Sequence, residues 1–174
     1  MIFNRVKFCC CGGVVNKNKG FTLIELVVTI AVLVIIASIA VPSFSDNIAK
    51  QGLDNSGREI LSALNEGSSK AVALRSVVVV CPNKKSTDVK ITQKECVTQT
   101  ISGADGDKFI EQNRVILANI SDGTSVTSTV FGVVFLPTGN VQSTKTFTLC
   151  TKGKSKKIVV AATGASDIST GTCP

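Results

Sequence analysis

Hydrophobic and polar positions divide the chain into three regimes. From Phe21 to Val41 the residues are almost uniformly apolar, with Glu25 the one ionisable side chain. Such a segment predicts a helix that is apolar on every side. From residue 42 to about Arg75 the pattern becomes amphipathic: Leu53, Ile60, Leu61, Leu64, Ala71 and Leu74 recur at helical spacing, with Lys50, Asp54, Arg58, Glu59 and Lys70 between them. That stripe predicts a helix whose apolar face packs on a globular domain. Pro42 stands between the two halves, where its missing N–H and its ring predict a kink near residues 38–42.

After Arg75 the period shortens, and residues 76–174 read as a β domain. Ser76–Cys81 is continuous and β-branched, a buried strand, and Pro82-Asn83-Lys84-Lys85 turns the chain. Val89 to Val97 alternates loosely and is expected to return as the partner strand, followed by a loop over residues 102–107. Further strands are expected over Arg114–Ile120, Val126–Leu136, Thr144–Thr151 and Ile158–Thr163. They are separated by Asp122-Gly123, by Pro137-Thr138-Gly139-Asn140 and by a lysine-rich turn, and Gly164–Pro174 reads as a polar tail. Short strands at this spacing predict antiparallel sheets, so the fold class is α+β.

The 21 residues from Phe21 to Val41 would extend roughly 30 Å as a helix, the thickness of a bilayer's hydrocarbon. Arg5, Lys7, Lys17 and Lys19 precede the segment with no acid among them, which places residues 1–20 in the cytoplasm and the β domain outside the inner membrane. Glu25 needs a reason, since an acid in a membrane helix costs about 2.5 to 3.5 kcal/mol. Cleavage after Gly20 would supply one. It frees an amine on Phe21 one helical turn from Glu25, in the same chain or a neighbour, and the charge pair would set subunit register.

Gly20-Phe21-Thr22-Leu23-Ile24-Glu25-Leu26, behind a basic leader and ahead of a long apolar helix, resembles the class III signal of type IV pilins and type II secretion pseudopilins. The resemblance implies a cleaved prepilin leader at 1–20, cutting between Gly20 and Phe21 by the prepilin peptidase, N-methylation of Phe21 and subunit docking through Glu25. It implies the pilin-like fold: a long N-terminal helix, membrane half 21–41 and amphipathic half 42–75, packed on antiparallel β-sheet structure over 76–174. The β region resembles the GspH/FimT/FimU group of minor subunits, through the strand ending at Cys81, Phe135-Leu136-Pro137-Thr138-Gly139, Thr146-Phe147-Thr148-Leu149-Cys150, and Ile158-Val159-Val160 leading to Gly164. That group implies a minor pilin incorporated by its helix near the tip of a type IV pilus, where it primes or stabilises assembly. Its partners would be major and minor pilins. Its location would be the inner membrane of a Gram-negative bacterium, single-pass with a periplasmic domain, and then the cell surface. A type II secretion pseudopilin, or a DNA-binding minor pilin for natural transformation, are the alternatives.

Composition narrows the chemistry. The formal charge of +7 comes from 19 basic against 12 acidic residues. Loss of the four basic residues of the leader reduces it to about +3, so bulk charge argues little for nucleic acid. Seven cysteines are present. Cys9, Cys10 and Cys11 would leave with the leader, while Cys81, Cys96, Cys150 and Cys173 lie in the exported part, where disulfides form. Four cysteines allow three connectivities; Cys81–Cys96 and Cys150–Cys173 each close a short loop, and the second would fasten the C-terminus. A zinc site lacks histidines and close cysteine pairs. A calcium loop at Asp105 and Asp107 lacks its other ligands. No catalytic constellation or cofactor motif stands out, so an enzyme is not expected.

For DNA, some relatives carry arginines just after the glycine of the last β segment, where this chain reads Gly164-Ala165-Ser166-Asp167. What remains is Lys152, Lys154, Lys156 and Lys157 in one turn, and Lys84 and Lys85 in another. Such clusters hold phosphates by salt-sensitive contacts, but a solvated hairpin tip accounts for them better, and DNA is disfavoured as a partner.

Overall fold

The computed structural model describes residues 21–85, 89–128 and 130–173, with the backbone alone for 39–43. Two compact units divide it, Met1–Ala40 and Val41–Pro174. One helix, α1, is assigned from Leu23 to Leu74 and contributes to both. Pro42, where a kink is expected, lies outside the described side chains.

In the second unit the chain continues through β1 (Val78–Pro82), α2 (Gln93–Thr100), α3 (Gly106–Glu111), β2 (Val115–Ala118), β3 (Ser125–Ser128), β4 (Val133–Phe135), β5 (Lys145–Thr151), β6 (Lys154–Val160) and β7 (Ser166–Thr172). Helix α1 ends in a Schellman turn. The N–H of Ser76 reaches the carbonyl of Ala71, that of Arg75 reaches Val72, and Arg75 takes a left-handed φ of 47°. Leu53, Ile60, Leu64 and Ala71 are buried as the stripe predicts, but Leu74, in that closing turn, is exposed.

Two sheets meet on α1. The first has the order β2-β1-β4 and the second β3-β5-β6-β7. Leu53, Ile60, Ala63, Leu64 and Ala71 of α1 share a core with Val78 and Val80 of β1, Phe135 of β4, Phe147 and Leu149 of β5 and Ile158 and Val160 of β6. The other face of β1 carries Val79 and Cys81, which α2 and α3 cover with Cys96, Val97 and Phe109. Burial on both faces explains the unbroken β-branched run of β1, whereas β5, covered on one face, alternates.

Five expectations need correction. Residues 93–97 begin helix α2 rather than lying in a strand. The Thr92 hydroxyl accepts the Glu95 N–H at 3.2 Å and the Glu95 carboxylate accepts the Thr92 N–H at 2.7 Å, a capping box. The loop expected at 102–107 holds only as far as Asp105, and its last two residues open α3, with the Asp105 carboxylate accepting the N–H groups of Asp107 and Lys108. Because α2 and α3 form a crossover, β1 and β2 pair in parallel, and the first sheet is mixed. Val126–Leu136 is not one strand: β3 joins the second sheet and β4 the first. The tail is not irregular, since Ser166–Thr172 pairs along the whole of β6.

A disulfide joins Cys81 on β1 to Cys96 on α2, with Cα atoms 6.0 Å apart, and a second pairs Cys150 on β5 with Cys173 just beyond β7, at 5.7 Å.

Where α1 crosses β1 it carries Gly67. A Cβ there would overlap the Val80 side chain and lie 3.2 Å from the Phe135 ring, and both neighbours are buried. Helix propensity favours Gly67→Ala by about 1 kcal/mol, yet forcing a stiff β-branched neighbour aside costs about 1 to 3 kcal/mol. Net destabilisation of about 1 kcal/mol is expected in urea unfolding of the full chain in detergent. Gly57→Ala, which meets only the terminal methyl of Ile168 and the flexible stem of Lys156, should be neutral or stabilising. Equal midpoints for the two variants would show that Val80 gives way.

Candidate functional site

The first candidate is the start of α1. Phe21 is 80 % exposed, and every side chain from Phe21 to Ser38 is exposed. Thr22 opens the helix: its hydroxyl accepts the Glu25 N–H at 3.2 Å and its carbonyl accepts the Leu26 N–H at 3.2 Å. Thr22-x-x-Glu25 is thus half of a capping box, a signal legible in the sequence. Further along, the Thr29 hydroxyl donates to the Leu26 carbonyl at 2.8 Å and the Ser38 hydroxyl to that of Ile35 at 2.7 Å. These hydroxyls are satisfied by their own helix, as a non-aqueous surrounding requires. Among the described residues the Glu25 carboxylate has no partner.

Among the described residues no helix is long and apolar enough to cross a membrane. The apolar run is described in full only from Phe21 to Ser38, short of the roughly 20 residues that a crossing takes. Gly20, and with it the expected cleavage site, lies outside the described residues.

The second candidate is the lysine cluster, which the structure takes apart. Only Lys152 and Gly153 form the turn; Lys154, Lys156 and Lys157 belong to β6, where the pleat sends neighbours to opposite faces. Lys156 points inward and pairs with Asp54 of α1 at 2.8 Å, while Lys157 is exposed on the outer face. The hydrogen bond from Lys156 holds the Asp54 carboxyl below the usual carboxylate range, aided by the charges of Lys50 and Arg58 and opposed by desolvation. Lys152 reaches Ser45 Oγ at 2.7 Å and Asp46 at 2.9 Å, and its hydrogen bond likewise holds the Asp46 carboxyl low.

The other pair also separates. Lys84 is only 3 % exposed and pairs with Asp122 at 2.6 Å, a partner that a buried ammonium requires. Lys85 lies 4.4 Å over the Phe131 ring. Of the two aspartates weighed as cation ligands, Asp105 instead caps α3 and Asp107 pairs with Lys94 at 2.6 Å. Among the described residues no group of His, Cys, Asp and Glu is arranged to hold a metal ion.

Sequence reasoning missed that two acids of α1, Asp46 and Asp54, bind Lys152 and Lys156. The spacing of Asp46, Lys50, Asp54 and Arg58 at four-residue steps was the available signal.

Comparison with known proteins bears on both candidates. The prokaryotic N-terminal methylation motif matches residues 15–41, and type II transport protein GspH matches residues 56–164. A fimbrial protein of Pseudomonas aeruginosa is 34 % identical over 76 residues, 44 % of this chain and 49 % of its own length. A fimbrial protein of Moraxella nonliquefaciens is 54 % identical over 35 residues, 20 % of this chain and 23 % of its own. The chain therefore spans about half the length of the first of these relatives, and less of the second. The solved structure of the type IV minor pilin FimU from Pseudomonas aeruginosa is similar with a TM-score of 0.46 and 14 % identity, over 69 % of this chain and 90 % of that one. With the GspH match covering well over half of its length and the methylation motif ahead of it, the chain belongs to the GspH family of type IV pilin-like proteins.

Proposed function

We propose that this chain is a minor pilin of a type IV pilus. It is made as a precursor, cut between Gly20 and Phe21 by the prepilin peptidase and N-methylated on Phe21. Residues 21–41 then hold it in the inner membrane with the β domain in the periplasm. From there it enters the fibre through α1, near the tip, and helps to prime or stabilise assembly with major and minor pilins. The observation that carries this reading is the first part of α1, apolar on every side, with its hydroxyls satisfied internally and one unpartnered carboxylate at Glu25. Such a surface is stable only against lipid or other helices, and the lone acid asks for a cation from a neighbour.

A strain lacking this chain should show a several-fold loss of major pilin in the sheared surface fraction, with intracellular pilin unchanged. Unchanged surface pilin would move the function to a secretion pseudopilin, a reading that the match to type II transport protein GspH favours. The dispersal of the lysines over a turn and two strand faces supports no DNA groove at Lys152, Lys154, Lys156 and Lys157.

A further inference from the structure

The end of the β-domain unit that α1 enters first carries a concentration of positive charge beside exposed apolar side chains. Lys152, at the β5–β6 hairpin tip, binds Ser45 and Asp46 of α1. Lys154 stands close enough for its charge to act on Asp46, and Lys90 close enough to act on Asp122. Lys50 is exposed one turn further along α1. Lys84 lies buried against Asp122, and the charge of Lys50 acts on Asp54, one turn beyond. Phe44 and Ile48, four residues apart on α1, are 68 % and 54 % exposed in the same neighbourhood. Lysines beside exposed apolar side chains are the signature of a surface that sits at a bilayer interface.

The chain itself fixes the distance. Asp46 follows Val41, the last residue of the apolar run, by five residues, about 7 to 8 Å of helix. A headgroup layer adds roughly 5 to 7 Å to each side of the hydrocarbon, and screening leaves charges effective over about 8 to 10 Å. Whatever direction the domain takes from the span, this short stretch keeps Phe44 and Asp46, and with Asp46 its partner Lys152, within reach of the headgroup layer when residues 21–41 cross the membrane.

We propose that this basic pole binds the anionic phospholipid headgroups of the membrane's periplasmic face, and so holds the unassembled subunit against the bilayer. The inference rests on the membrane-anchored reading given above. Assembly into a fibre would then exchange the lipid contact for neighbouring subunits. Phosphate is the shared chemistry of lipid and nucleic acid; nearness to the end of the apolar run selects lipid.

The test uses the full mature chain in nanodiscs of phosphatidylcholine alone or with about 30 % phosphatidylglycerol. A brief pulse of an amine-reactive label is read lysine by lysine by mass spectrometry. Lys50 and Lys154 should react at least about threefold more slowly in the anionic discs, and about 0.5 M salt should remove the difference. Lys108, on α3, and Lys145, at the far end of β5, should react equally in both. Equal rates for Lys50 and Lys154 in a chain that co-elutes with the discs overturn the lipid contact and leave the anchor standing. A chain that enters neither disc overturns both. Slower labelling with added duplex DNA, but not with anionic lipid, overturns the inference in favour of a nucleic-acid surface.

Discussion

Glu25→Ala should abolish entry of this chain into sheared fibres while leaving its cleavage and membrane retention intact. The variant removes the one charge of the apolar segment, so retention should if anything improve, by the roughly 2.5 to 3.5 kcal/mol that a carboxylate costs there. Two roles for Glu25 predict effects of different size. In its own chain the acid lies in the first helical turn, beside the Thr22 cap, where it steadies the helix N-terminus. That role is worth about 0.3 to 1 kcal/mol, at most a factor of about five. As the partner of a cationic Phe21 amine on a neighbouring subunit, it removes two charges from lipid at once. Loss of one member of such a buried pair costs about 3 to 5 kcal/mol, more than a hundredfold in incorporation. Quantifying this chain in sheared and cell fractions, with Glu25→Asp beside it, separates the two. A loss of fivefold or less would reduce Glu25 to a helix cap. Near-complete loss with partial recovery in Glu25→Asp is the expected result.

The elements that the sequence made legible are those in which one physical demand dominates. The stripe from Leu53 to Ala71 was plain because a single helix face is buried, and Val78–Cys81 because both faces of that strand are covered. The errors fall where local signals compete. Over residues 89–97, β-branched residues and loose alternation suggested a strand, but the Thr92–Glu95 capping box commits residues 93–100 to helix. That choice turns an expected hairpin into a parallel crossover. The split of Val126–Leu136 turns on Gly132, where a Cβ would lie 2.5 Å from Cys81 Sγ and 2.9 Å from the Val80 carbonyl. A glycine inside a β-branched run marks close backbone approach, and here it lies between strands of two sheets. Polar Ser166–Thr172 did not resemble a strand because, at the edge and exposed, it needs no apolar alternation.

Of the functional residues, Glu25 stood out by its chemistry alone, whereas the lysines did not sort themselves. Strand pleat sorts the lysines of β6, and acids of α1 bind Lys152 and Lys156; neither is visible from spacing within residues 152–157. Lys156 turns inward to Asp54 while Lys157, one residue on, faces solvent.

The two disulfides should differ in what they hold, and replacing both cysteines of each pair by alanine should reveal it. Chain entropy treats them alike. Sequence separations of 15 and 23 residues give about 3 kcal/mol each, with the second slightly larger. Packing separates them. Cys81 and Cys96 are 1 % and 0 % exposed and lie inside the smaller core, where their bond pins α2 to β1 beside Val79, Val97 and Val115. Cys81→Ala with Cys96→Ala therefore loses the cross-link and also opens space in a cluster with little else to hold it. A loss of about 3 to 4 kcal/mol is expected, which for a unit of this size lowers the melting temperature by about 10 °C. Cys150 and Cys173 join an inner strand to the exposed end of an edge strand. Loss of that bond frees a segment that can fray alone, so amide exchange should quicken along β7 with a smaller change in global melting. Thermal unfolding and hydrogen exchange of the full chain in mild detergent, under non-reducing conditions, measure both. Equal melting losses would leave chain entropy as the whole account. A larger loss for the Cys150–Cys173 pair would make β7 part of the cooperative core rather than its edge.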